Sequence, residues 1–105
     1  MMTSKQRAYL KSLAMTENAI LQIGKEGVTP ALTQSVSEAL EARELIKLSV
    51  LQNCLETPSD IARMLSERTH SQIVQIIGKK IVLYKEGKDE KKKIQLPSAG
   101  KKDRE

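Results

Sequence analysis

Leu21-Gln-Ile-Gly-Lys-Glu-Gly-Val-Thr-Pro30 decides how this chain folds. The apolar run Ala19-Ile-Leu-Gln-Ile23 is too short for a helix and is flanked by Asn18 and Gly24, so it reads as a strand. Gly24-Lys-Glu-Gly27 breaks the run. Thr29-Pro30 then supplies a helix cap and a proline at the first helical position. Leu32, Val36, Ala39 and Leu40 recur at helical spacing behind that cap, which makes the unit strand, glycine turn, helix. The main-chain N–H groups at Thr29 to Leu32, less the one that proline lacks, would point back toward the turn and meet an anion with the positive end of the helix dipole. Glycine at both ends of the turn permits positive φ and lets a phosphate backbone come close, while Lys25 adds a mobile cation. Glu26 sits awkwardly in such a turn unless it points away or reads a base. Two glycines between a strand and a helix are, on their own, only a turn, and a nucleotide P-loop is excluded because Lys25 is followed by Glu26.

Working outward, Ser4 to Ala14 reads as a helix capped by Thr3 or Ser4, with Tyr9, Leu10, Leu13 and Ala14 on one face. Downstream, Glu44-Leu-Ile-Lys-Leu-Ser-Val-Leu51 alternates Ile46, Leu48 and Val50 against Lys47 and Ser49, a strand with one buried face. Thr57-Pro58 opens a third helix that runs to about Thr69. Gln72 to Ile77 and Lys80 to Tyr84 are β-rich runs joined at Gly78-Lys79, an antiparallel hairpin. The expected order is α-β-α-β-α-β-β: a two-layer α/β fold, with helices on one face of a small four-stranded mixed sheet. Residues 1–85 form the expected domain, and residues 86–105, rich in lysine and poor in apolar residues, a basic disordered tail.

Charge narrows the function. The chain has 18 Lys plus Arg against 13 Asp plus Glu, net +5. Lys5, Arg7 and Lys11 face no carboxylate in their helix, and Lys79 and Lys80 form a second unopposed pair. The second helix instead carries Glu38, Glu41 and Glu44 against Arg43 alone, a solvated acidic face. No run approaches the ~18 apolar residues of a membrane span, and the start leads into no signal-like apolar region, so a cytoplasmic protein is expected. Cys54, the single cysteine, rules out an internal disulfide. His70 is the only histidine and reads as an exposed residue after the third helix, so no metal site is expected. Tyr9 and Tyr84 read as residues at the core edge with hydrated hydroxyls; with no Phe or Trp, aromatic RNA platforms are scarce. No nucleophile and base pair or dinucleotide fingerprint is present, and neither catalysis, a cofactor nor a small-molecule substrate is expected.

Lys5-Gln-Arg-Ala-Tyr-Leu-Lys11, Gln22-Ile-Gly-Lys-Glu-Gly-Val-Thr29, Glu44-Leu-Ile-Lys-Leu48, Gln75-Ile-Ile-Gly78 and Leu83-Tyr84 together resemble the YhbY-type CRM domain family (chloroplast RNA splicing and ribosome maturation). They span residues 3 to 84 in order. The resemblance implies a fold related to the C-terminal domain of a bacterial initiation factor and reminiscent of KH domains. It also implies RNA binding, without catalysis, in precursors of the large ribosomal subunit, with the family's Gly-x-x-Gly loop falling on Gly24 to Gly27. Ser4 departs from the family, whose first motif often has glycine there. The expected RNA contacts are Lys5, Arg7, Lys11, Gly24, Lys25, Glu26, Gly27, Thr29, Lys79 and Lys80, in a protein needing no more than a monomer. The alternatives are a protein adaptor docking through its acidic second helix, and a regulator of other RNAs.

Overall fold

The structure is a computed structural model in which residues 3–87 are described. Helix α1 (Ser4–Ala14) starts at a capping box: the Thr3 hydroxyl accepts from the Gln6 N–H, and the Gln6 side chain accepts from the Thr3 N–H. Strand β1 (Leu21–Ile23) leads through the glycine turn to α2 (Pro30–Arg43), capped by Thr29, whose hydroxyl accepts from the Leu32 N–H. Next come β2 (Leu45–Val50), α3 (Pro58–Thr69, capped by Thr57), β3 (Gln72–Ile77) and β4 (Lys80–Tyr84). His70 ends α3 in the left-handed conformation and is exposed, as its place in the sequence suggests.

The four strands form one sheet in the order β1-β2-β4-β3, with β1 parallel to β2 and the other pairs antiparallel. This is the α/β architecture with a small mixed sheet that the sequence predicts. The helices, however, divide between its faces. Helices α2 and α3 cover one face, closing a core that includes Val36, Leu40, Ile46, Leu48, Ile61 and Leu65. Helix α1 lies on the other, where Leu10 and Ala14 meet Leu45, Val74, Val82 and Tyr84. All helices on one face in two layers was therefore an incomplete expectation. The reason lies in β4: Ile81, Val82, Leu83 and Tyr84 are all buried, so successive side chains need cover on opposite faces.

Strand β3 adds a bulge. Its register against β4 jumps between Ile73 and Gln75, which leaves Val74 as the extra residue and turns it into the core under α1. Strand β1 is two residues shorter than expected at its start.

Two further expectations fail in the core. Glu44 is not part of a solvated acidic face. It is 0% exposed, holds φ at 66°, accepts the Gly87 N–H on Oε2 at 2.8 Å and the Lys85 N–H on its carbonyl at 2.9 Å. The carboxylate thus fastens the chain leaving β4 to the junction of α2 and β2. Tyr84 is 1% exposed, and its hydroxyl makes no hydrogen bond to a described residue. Burial, followed by the negative charges of Glu44 and Glu86, pushes its pKa up to about 12. Beyond Gly87, the expected basic tail lies outside the described residues.

Candidate nucleic-acid interface

The glycine turn is placed by β1, whose Ile23 carbonyl accepts the Leu51 N–H at 2.8 Å. Gly24 accepts the Gly27 N–H at 3.0 Å, which closes the turn and leaves Lys25 and Glu26 exposed at its tip. Of the two glycines in this turn, Gly27 has a positive φ, at 67°, and Gly24 does not. A Cβ there would stand 2.6 Å from the Glu56 carboxylate, so Gly27 answers both to backbone conformation and to a close neighbour. Gly24 packs beside Asn53 and Leu51. A shallow hollow of about 280 Å³ opens over the turn, lined by Gln22, Lys25, Glu26, Thr29 and Leu32 among others.

Fewer donors are available to an anion than the sequence suggests. The Thr29 hydroxyl takes the Leu32 N–H, and the Gly24 carbonyl takes that of Gly27. The turn retains its place at the positive end of α2 with Lys25 in front.

The hairpin turn lies at the same end of the sheet. The Val50 N–H donates to the Lys79 carbonyl at 2.7 Å, and the N–H of Leu51, next in the chain, donates to the carbonyl of Ile23 at the entry to the glycine turn, so Lys79 and that turn flank one short segment. Lys80 is exposed, and its Nζ lies 3.3 Å from the Ser49 hydroxyl across the strands. On α1, Lys5 is exposed and Lys11 half-buried beside the sheet. Arg7 is placed otherwise: its guanidinium donates to the carbonyls of Ile73 at 3.1 Å and Val74 at 3.5 Å. It ties α1 to the bulge, a task that the bare sequence did not reveal.

Sequence reasoning also missed Lys47. Its ammonium donates to the carbonyls of Ala14 and Glu17 at 3.3 and 3.4 Å, a cation at the negative end of α1. The alternation of β2 marked Lys47 as outward but could not say what stood outside it. Asn53 and Glu56 enter from the loop before α3, which carried no motif. The acidic face of α2 retains Glu38 and Glu41 exposed but loses Glu44, which shrinks the surface available to a protein partner. Among the described residues, no three of His, Cys, Asp and Glu stand together as a metal site, and no helix is long and apolar enough to cross a membrane.

Comparison with known proteins gives this geometry its relatives. The CRS1 / YhbY (CRM) domain profile matches residues 2–85. The "Probable RNA-binding protein YqeI" of Bacillus subtilis is 53% identical over 97 residues, covering 92% of this chain and all of that protein. An "RNA-binding protein" of Haemophilus influenzae is 35% identical over 96 residues, covering 91% of this chain and 95% of that one. The solution structure of the hypothetical protein SAV1595 from Staphylococcus aureus superposes with a TM-score of 0.77 at 46% identity, covering 92% of this chain and all of that one.

Proposed function

The chain belongs to the CRS1 / YhbY (CRM) domain family, and from that premise we propose that it is a non-enzymatic, cytoplasmic RNA-binding protein that docks as a monomer on large-subunit ribosomal RNA during assembly of that subunit. The observation that carries the reading is the meeting of the glycine turn, the start of α2 and the hairpin lysines at one end of the sheet. Lys25 and the turn backbone hold phosphate, Lys79 and Lys80 extend the contact, and Lys5 and Lys11 add to it from α1. Arg7 contributes by fixing α1 in place. Thr29 holds the helix start in register, while Glu26, exposed at the tip, can accept a hydrogen bond from a base edge. Backbone contacts of this kind select the shape of the RNA more than its sequence.

Five lysines that neutralise about five phosphates give a log affinity that falls with log salt at a slope of roughly −3.5 to −4.5. Lys25→Glu weakens binding by roughly tenfold or more, the loss of one charged hydrogen bond of about 1.5 kcal/mol, and flattens the slope. The deciding experiment is to cross-link the protein to RNA in its native cells and sequence what is attached. Enrichment at one place on large-subunit ribosomal RNA is the expected result. No RNA above the control without cross-linking would overturn the reading and favour the adaptor.

A further inference from the structure

The face of the sheet under α1 is only half covered. Helix α1 seals it over Leu45, Val74, Val82 and Tyr84, but a row at the other end of the strands stays open. Gln22 pairs with Ser49, Ser49 with Lys80, and Lys80 with Ile77, one residue from each strand and all on this face. The row begins two residues before Gly24 and crosses about 14 Å of sheet, three interstrand spacings of ~4.8 Å. It ends in a groove of about 540 Å³ between α1 and the sheet.

The walls of that groove have a definite chemistry. Ala8, Met15, Ile77 and Val82 give it an apolar lining, and Met15 and Ile77 are 80% and 60% exposed. Lys11, Lys47 and Lys80 also line it, with no carboxylate among the lining residues. Lys47 is fixed there by the carbonyls at the end of α1, and Lys80 is steadied by Ser49. Gln75 adds an amide that can both donate and accept. An occupant should therefore be anionic outside, flat and apolar in its body, and edged with both donors and acceptors. An unpaired nucleotide has all three properties; an acidic peptide supplies charge and backbone donors and acceptors but lacks the flat apolar body.

We propose that this groove receives an unpaired base of an RNA whose neighbouring backbone is held at the glycine turn. The open row Gln22, Ser49, Lys80, Ile77 is the path between the two contacts. The inference rests on the RNA reading above and deepens it: the ligand becomes a structured element with a single-stranded extension. Aliphatic and thioether surfaces take the part that aromatic rings play in other single-strand binders, which suits a chain without Phe or Trp.

The test compares a blunt RNA hairpin with the same hairpin carrying a single-stranded uridine extension, each titrated by fluorescence anisotropy against the full chain. The extension should tighten binding by roughly five- to tenfold, the low end of a base stacked on a side chain. Ala8→Arg fills the groove while adding a cation, so it should abolish that gain and leave the blunt hairpin bound as before. Ile77→Ser should reduce the gain without unfolding the protein, since its side chain is mostly exposed. An extension that adds nothing to a hairpin that does bind overturns the groove alone. Tighter binding of the extended RNA by Ala8→Arg overturns it too, because charge without a slot would explain that result. A polyglutamate peptide that binds more tightly than the extended RNA and is lost in Ile77→Ser would reassign the groove to an acidic protein. Failure of the parent to bind either RNA overturns both readings together.

Discussion

The two faces of the sheet differ in how they are closed. Among the described residues, eleven buried under α2 and α3 form a continuous aliphatic core. Under α1 there are six, two of which come from the helix itself, and a tyrosine hydroxyl is shut in with them. The first face holds the molecule together. The second is closed just enough to place α1 and leaves a row of sheet open. In a small domain, where net stability is only some ~5–10 kcal/mol, one well-filled face can carry most of the fold and free the other for contact.

The sharpest way to break this contrast is to empty each face in turn. Leu48→Ala, at the centre of the larger core, should cost about 3 to 5 kcal/mol and leave little cooperative unfolding by denaturant or heat. Leu10→Ala removes the same group from under α1 and should cost about 2 to 3 kcal/mol, leaving a folded but weakened protein. Equal losses would mean that the faces share the load.

Tyr84 offers a subtler probe. An unfolded tyrosine ionises near pH 10, the folded one near 12, so below pH 10 both states hold the neutral phenol and stability is unaffected. Between pH 10 and 12 the unfolded chain releases a proton that the fold retains. Stability should then fall by about 2 kcal/mol across the window. Tyr84→Phe removes this component, so its stability should fall less steeply there; near pH 7 it should match or slightly exceed the parent, because a buried hydroxyl without a partner is lost. Identical alkaline profiles would place the tyrosine in contact with water.

The smallest effect belongs to the turn. Gly27→Ala should cost about 1 to 2 kcal/mol, the cost of a left-handed residue with a Cβ. The Glu56 carboxylate is the tip of a flexible chain and can swing aside, so adding Glu56→Ala should recover little of that loss. Large recovery would make the neighbour, not the backbone, the reason for glycine.

Most of the fold was legible in the sequence because its signals were local. The threonine caps and the prolines after Thr29 and Thr57 fixed the starts of α2 and α3, and the apolar runs of β3 and β4 stood at their observed bounds. What the sequence hid lies between elements. A bulge at Val74, the burial of Glu44 and the bond from Arg7 to two carbonyls depend on partners from 41 to 67 residues away or on register, which no local pattern encodes. The candidate site divides in the same way: the glycine turn and the lysines were visible as residues, while their meeting at one end of the sheet, and the groove beside α1, exist only once four strands are aligned.

Strand β1 has a consequence in time as well as in space. It is three residues long, sits at an edge and pairs only with β2, in parallel, after the chain has passed through the whole of α2. The hairpin of β3 and β4 closes over a two-residue turn and can form within microseconds, whereas β1 must wait for a crossover. By the same token, its amides should exchange with solvent through small local openings long before those of β4. The strand that carries the glycine turn should therefore form after the hairpin and open before it, so that the turn can shift while the hairpin stays shut.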